Sequence, residues 1–395
     1  MLNICEKGEA MRQFQFQTVS NIISGLGSIQ ELQSILLERS FHKILLVTDA
    51  GMLQHQLQLP ILEIFDATQT DYVIYADVQA DPPENMVLSA VNFAIEHEVD
   101  AVIGFGGGSS LDVAKIIAIL AEPQQTQKIH DLYGVNNAKH PRLPLIVIPT
   151  TAGTGSEVTP ISIVTTGETT KTGIVSPVLY ADIVILDAHF TQSLPAHITA
   201  ATGIDAMVHA IEAYTSKIKK NFYADLLAKQ ALSLLNQNLN RVLENGSDLE
   251  ARQNMLVGSM LAGQAFANAP VGAVHALAYP LGGHYHISHG HSNALVLLEV
   301  LKFNAPEAKH HYAELMQWID PYSKGNTDGL CDLFIDHMYR HLDRSRLSLR
   351  LSELGVQREH LPKLAEDAML QNRLLQNNPR NMQYSDALNI YQAIY

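Results

Sequence analysis

The stretch AVIGFGGGSSLDVAK, residues 101–115, decides the fold of this chain. Its apolar run does not alternate with polar residues, which suits a strand buried on both faces of a parallel sheet. The run meets Gly106, Gly107 and Gly108, and Ser109 then opens a helix containing Asp112 and Lys115. Backbone amides without side chains can approach a pyrophosphate, and the helix N-terminus favours its charge. A tight turn at positive φ would also use glycine. Three glycines followed by serine favour the phosphate cradle, although the spacing is neither that of a P-loop nor GxGxxG.

Outward from this motif, further apolar runs repeat the pattern: Lys43–Asp49 (KILLVTD), Asp71–Val78 (DYVIYADV) and Leu145–Pro149 (LIVIP). The segment Pro83–Val99 has helical length and opens on Pro-Glu. Strand alternating with helix predicts a wound α/β domain, with Ile174–Leu186 as a further strand candidate. Beyond Leu194 the strand signals cease. Tyr223–Leu243 carries apolar residues at helical spacing, and Met255–Phe266, Ala294–Phe303, Ala313–Ile319 and Leu330–His341 also read as helices. The expected architecture is an α/β N-terminal dinucleotide-binding domain, residues 1–190, followed by an all-α C-terminal domain, residues 191–395, with Pro195 at the changeover.

Composition bounds the function. The 395 residues carry a formal charge of −14 and no basic run, which argues against nucleic acid or an anionic membrane as partner. A content of 47% apolar and 17% charged residues excludes global disorder. Two cysteines, Cys5 and Cys331, cannot build a disulfide scaffold or a four-cysteine metal site. No apolar run approaches the roughly 18 residues of a spanning helix. Glu6, Lys7 and Glu9 stand where a secretory signal would place its apolar stretch. The expectation is a soluble, cytoplasmic protein.

Three further features carry chemistry. PTTAGTGSEVT (149–159) places Thr150, Thr151 and Thr154 at the end of a strand, the edge where open α/β sheets bind ligands; an ordinary polar loop has the same composition. Asp49 ends the KILLVTD strand, where a carboxylate can accept from ribose hydroxyls and repel a 2′-phosphate, or simply start a turn with Gly51. In TAATGIDAMVHAIEAYTS (199–216), Asp205 and His209 share a helix face, which suits a divalent metal and equally a plain hydrogen bond. Downstream, His275, His284, His286, His289 and His291 crowd into residues 275–291. Such a density suggests metal binding, but spacing does not choose the ligands: His284/His286 and His289/His291 could each chelate as an HxH pair.

Taken together, ISGLGSIQEL, GGGSSLDVAK, PTTAGTGSEVT, TAATGIDAMVHAIEAY, AGQAFANAPVGAVHALAYPLGG, SHG at 288–290 and NNPRN at 377–381 resemble the iron-containing (group III) alcohol dehydrogenase family over nearly the whole chain. The resemblance implies a dehydroquinate synthase-like architecture with a cleft between the halves. It implies one divalent metal, Fe2+ or Zn2+, held by Asp205, His209, His275 and His289, with His284, His286 and His291 left outside. It implies NAD bound by Gly106, Gly107, Gly108, Ser109 and Asp112, by Thr150, Thr151 and Thr154, and by Lys171 near the nicotinamide ribose. Asp49 at the first strand end implies NAD over NADP. The metal would act as a Lewis acid on a small alcohol, aldehyde or ketone while hydride passes to or from the nicotinamide. A homodimer or larger homo-oligomer is expected.

There are departures from the family pattern. Tyr279 stands where many members have histidine, SHG replaces PHG, Leu298–Glu299 replaces Pro-His, and Asp81–Pro82–Pro83 replaces Asn-Pro-Thr. Tyr279, with His284, therefore becomes a candidate for the pocket wall or a proton relay. Dehydroquinate synthase activity would require a basic pocket, and no Lys/Arg cluster flanks the histidine motifs. A hydroxyacid–oxoacid transhydrogenase of the same family, or a non-catalytic dinucleotide- and metal-binding relative, are the alternatives.

Overall fold

The computed structural model describes residues 13–167 and 170–395. Cys5 and the charged N-terminal positions Glu6, Lys7 and Glu9 lie outside the described residues.

Nine strands are present among the described residues: β1 Asn21–Ser24, β2 Lys43–Val47, β3 Asp71–Tyr75, β4 Ala101–Gly106, β5 Gly134–Val135, β6 Leu145–Pro149, β7 Ile161–Thr166, β8 Thr170–Val175 and β9 Ile183–Leu186. Interleaved with them are α1 Glu31–Arg39, α2 Ala50–Gln54, α3 Leu59–Thr68, α4 Glu84–Glu96, α5 Gly108–Leu120 and α6 Ile129–Leu132. Six strands form one parallel sheet in the order β1-β9-β6-β4-β2-β3. The non-alternating runs explain the placement. In β2, Leu45 and Val47 pack on one face of the sheet, while Ile44 and Leu46 pack on the other. Likewise β4 sends Val102 to the first face and Ile103 and Phe105 to the second. A strand with two buried faces has no solvent side to mark with polar residues.

Two strand features were not expected. The short β1 pairs in parallel with β9 at the sheet edge. A second sheet, β5-β8-β7, carries the antiparallel ladder of Ile161–Thr166 against Thr170–Val175. The candidate strand Ile174–Leu186 is not one element: its ends belong to β8 and β9, with a turn of 3-10 helix at Pro177–Leu179 between them.

From Ala196 onward the described chain is helical: α7 Ala196–Thr215, α8 Phe222–Glu244, α9 Leu249–Asn268, α10 Ala273–Tyr285, α11 His289–Ile319, α12 Thr327–Ser345, α13 Leu361–Met369, α14 Asn372–Leu375 and α15 Tyr384–Ala393. A third apolar core binds these helices together. The two expected helices Ala294–Phe303 and Ala313–Ile319 are one, because α11 runs through Pro306. Tertiary packing of its apolar face, including Val300, Leu301, Ala308 and Tyr312, outweighs the break that proline imposes on an isolated helix.

Candidate active site

α7 is apolar nearly all round and is buried over most of its length. Asp205 and His209 are polar exceptions one turn apart, 1% and 4% exposed. His275 sits in the first turn of α10 and His289 opens α11. One ligand atom from each of the four lies within 4.8 Å of the others. The Nε2 atoms of His209, His275 and His289 stand 3.8, 3.9 and 3.7 Å from Asp205 Oδ1. The edge of a tetrahedral site with bonds of ~2.1 Å is about 3.4 Å. A contraction of a few tenths of an ångström would therefore seat an ion, and three imidazoles with one carboxylate suit iron or zinc.

The surroundings prepare these groups as ligands. Burial holds the His209 imidazole down at about 4, so the ring is neutral at pH 7. Its Nδ1 faces the Gly153 carbonyl at 3.2 Å, which leaves Nε2 for the site. His275 Nδ1 donates to Glu212 Oε2 at 2.7 Å. Glu212 Oε1 accepts from Val274 N at 2.7 Å, at the start of α10, where no side chain of the N-cap residue Gly272 does so. Asn293 Nδ2 donates to Asp205 Oδ1 at 2.6 Å. These partners fix ring orientation and tautomer.

Sequence reasoning missed Glu212 and Asn293. The signal was there: Asp205, His209 and Glu212 follow the i, i+4, i+7 stripe of one helix face, and Asn293 is one turn beyond His289.

The HxH chelates fail. His284 lies in α10 and His286 caps it at φ 54°, so they share no extended loop. His284 Nε2 meets Asp367 Oδ2 at 2.7 Å, and His284 is not among the residues lining the cleft. This corrects its expected role in the pocket wall or proton relay. His289 and His291 occupy the same first turn of α11, where i,i+2 side chains diverge. His291 Nε2 meets the Ser348 carbonyl at 2.6 Å.

His209, His275 and His289 face a cavity of about 470 Å³, which is also lined by Gly108, Ser109, Asp112, Thr154 and Lys171. The strand order β6-β4-β2 puts Thr150 and Thr151, Gly106 and Gly107, and Asp49 side by side at the C-terminal sheet edge. Asp49 Oδ1 caps α2 by accepting from Gly51 N at 2.9 Å and Met52 N at 3.2 Å. Its Oδ2 turns toward Gly106, 3.4 Å from where a Cβ would stand.

The three glycines differ. Gly106 has φ 146°, and a Cβ there would meet Ser110 Oγ at 2.6 Å. A Cβ on Gly108 would meet Thr154 Cγ2 at 2.8 Å. The fold itself therefore requires these two. A Cβ on Gly107 would only touch Thr151 Cγ2 at 3.7 Å, an ordinary contact. Its bare backbone suits a ligand's approach, and the residues present fit a pyrophosphate.

Asp112 is already engaged. It accepts from Ser156 Oγ at 2.5 Å and from Ile163 N at 2.9 Å, and so ties α5 to the threonine loop and β7. Thr150 is 1% exposed, beneath the loop. Lys171 Nζ pairs with Asp81 Oδ1 at 2.6 Å. Tyr279 lines the cavity, its ring centroid 6.0 Å from that of His289. Lys219 and Arg373 also reach the cleft. Lys219 comes from the segment just after α7, ten residues beyond His209, whereas Arg373 is brought in from 84 residues beyond His289.

Comparison with known proteins agrees along the chain. The profile "Iron-containing alcohol dehydrogenase" matches residues 20–188, and "Fe-containing alcohol dehydrogenase family, C-terminal" matches residues 199–395. Long-chain-alcohol dehydrogenase 1 of Geobacillus thermodenitrificans is 36% identical over 94% of each chain. Sulfoacetaldehyde reductase of Bilophila wadsworthia is 35% identical over 96% of this chain and 98% of its own. A crystal structure of 1,3-propanediol oxidoreductase superposes with a TM-score of 0.93 at 31% identity, covering 97% of this chain and 100% of that one.

Proposed function

The chain belongs to the iron-containing alcohol dehydrogenase family, and from that premise we propose that its cleft interconverts a small alcohol and the corresponding aldehyde or ketone, using NAD(H) and one divalent metal. The observation that carries this is the meeting of two groups in one cavity. Asp205, His209, His275 and His289 converge from three helices, opposite the glycine turn at the sheet edge.

On this reading residues 1–190 hold the cofactor and residues 191–395 hold the metal and the substrate. The amides of Gly107, Gly108 and Ser109 receive the pyrophosphate at the start of α5. Asp49 Oδ2 accepts from the adenosine ribose and selects against a 2′-phosphate. Thr151, Thr154 and Lys171 orient the nicotinamide half, and Asp112 holds their loop in position. The divalent ion supplies Lewis-acid polarisation of the substrate oxygen, and the nicotinamide supplies the hydride chemistry. Glu212 and the Gly153 carbonyl keep His275 and His209 in the tautomers that present Nε2. Tyr279 and Phe266 exclude water from the reacting face. The reading extends to a homo-oligomer, dimer or larger, in the cytoplasm; sedimentation of the purified chain tests the assembly.

The direct experiment is anaerobic purification, loading with Fe2+ or Zn2+, and a screen of alcohols with NAD and aldehydes with NADH. NAD-linked turnover that disappears on chelation is expected. A folded, metal-loaded chain that turns over none of the panel refutes the reading.

A further inference from the structure

The segment NNPRN, residues 377–381, is left without a task by the cofactor and metal readings. It joins α14 to α15, and its first two asparagines are 4% and 2% exposed. A buried side-chain amide has an oxygen and two N–H groups to satisfy. Asn378 satisfies all of them. Its Oδ1 accepts from Asn304 Nδ2 on α11 at 3.0 Å and from Ala273 N at 3.3 Å. Its Nδ2 donates to Asn304 Oδ1 at 2.7 Å and to the Arg380 carbonyl at 2.6 Å. Next to it, Asn377 Nδ2 donates to the Val271 carbonyl at 3.1 Å and to the Arg373 carbonyl at 2.9 Å. The two asparagines therefore grip residues 271–273 from about a hundred residues away, a distance in sequence over which only the fold can act.

That gripped stretch is where α10 begins. The first amides of a helix have no partner within it, and the N-cap Gly272 has no side chain to offer one. Here the Ala273 amide is met by Asn378 and the Val274 amide by Glu212 Oε1 at 2.7 Å. The other oxygen of Glu212 holds the His275 ring. Two side chains from distant segments thus replace the missing cap at the turn that presents His275. The bare position 272 belongs to the same arrangement. A Cβ there would stand 3.2 Å from both Cα and Oδ1 of Asn378, so a capping side chain at 272 would compete with the asparagine for its place.

We propose that Asn378 is a positioning residue for the metal centre: it caps α10 from outside and so fixes the turn that carries His275. The proposal rests on the metal reading above. A ligand set works only when its members are held to within about 0.5 Å, by packing and by hydrogen bonds behind them. Asp205 and His209 share the long buried helix α7, whereas His275 stands in the first turn of its own helix, the part that frays when its amides lose their partners.

The test combines Zn2+ affinity, by competition with a chromophoric chelator, with hydrogen exchange of the amides of residues 272–276 in the metal-free protein. In Asn378→Ala the affinity should fall roughly threefold to thirtyfold, the range set by the loss of one helix cap, and the amides should exchange faster. Asn304→Ala is the control. It breaks the same amide pair from α11, and none of its hydrogen bonds goes to α10. It should lower the melting temperature and leave Zn2+ affinity near that of wild type. Equal losses of affinity in the two variants would make Asn378 a merely structural residue and overturn the proposal, as would unchanged exchange in Asn378→Ala. Should Asn378→Ala not fold, Asn378→Ser, one bond shorter than the reach to Ala273 N requires, takes its place with the same expectations. His275→Ala separates the two levels of the argument. Zn2+ retained there refutes the metal reading and the proposal with it. Zn2+ lost there, but held at full affinity in Asn378→Ala, overturns the proposal alone.

Discussion

Glu212 is 6% exposed, and both its oxygens are committed, one to the His275 ring and one to the first turn of α10. Glu212→Gln keeps the size and an acceptor but removes the charge that holds His275 in its Nδ1–H tautomer. Metal affinity, measured against a competing chelator, should drop roughly 10- to 100-fold, and unchanged affinity would remove Glu212 from the support of the site. At Asp49 the two oxygens divide their work, one capping α2 and the other facing Gly106. Asp49→Asn retains the cap and removes the charge. The ratio of kcat/KM for NADPH over NADH should rise, whereas Asp49→Gly would confound that effect with a frayed helix start. A wild type that already prefers NADPH contradicts the assignment.

The glycine turn and the threonine loop face each other as elements. Gly107→Ala should leave the fold intact, because its added carbon finds only Thr151 at 3.7 Å, and it should still weaken NADH binding; Gly107→Val should weaken it further. Metal content should not change, since the proposed ligands lie on α7, α10 and α11. NADH affinity equal to wild type in folded variants would dismiss the cradle. Within the threonine loop Glu157 is 2% exposed, and burial pushes its carboxyl up to about 7, with Lys115 opposing. A carboxyl with a raised folded pKa binds its proton more tightly when folded. Its cost to stability is therefore absent below the unfolded value and grows as pH rises through the folded one. The melting temperature of Glu157→Gln relative to wild type should accordingly improve between about pH 5 and about pH 8. A difference independent of pH would mean that Glu157 is ionised in the fold throughout that range.

Across the molecule, the candidate ligands Asp205, His209, His275 and His289 join three helices that also share an apolar core. An ion that binds only the folded state adds RT ln(1 + [L]/Kd), about 4 kcal/mol at a thousandfold excess over Kd. Chelation should lower the melting temperature by several degrees, and Zn2+ or Fe2+ should restore it. The restoration should fail in His275→Ala and persist in His286→Ala, whose residue caps α10 away from the ligand set. The reverse pattern would reinstate the HxH site.

The parallel sheet and the helical half were legible because each rests on a local pattern. Runs such as KILLVTD and LIVIP can be satisfied only between two apolar layers, and helical spacing marks Tyr223–Leu243 directly. The hairpin of β7 and β8 was not legible, since its pairing joins half-polar strands whose burial depends on what covers them. The single helix α11 was hidden by Pro306, whose local cost is outweighed only by packing. The same division runs through the site. Asp205 and His209 could be paired from spacing, because one helix holds both. The choice of His275 and His289 over their neighbours came from resemblance alone, and its geometry exists only where α7, α10 and α11 meet. Arg373 stands 164 residues from His209, so only the tertiary structure could show that it reaches the cleft the histidines line. Periodicity reports which face of an element is buried; which charges meet across the interior depends on chain crossings that no local pattern records.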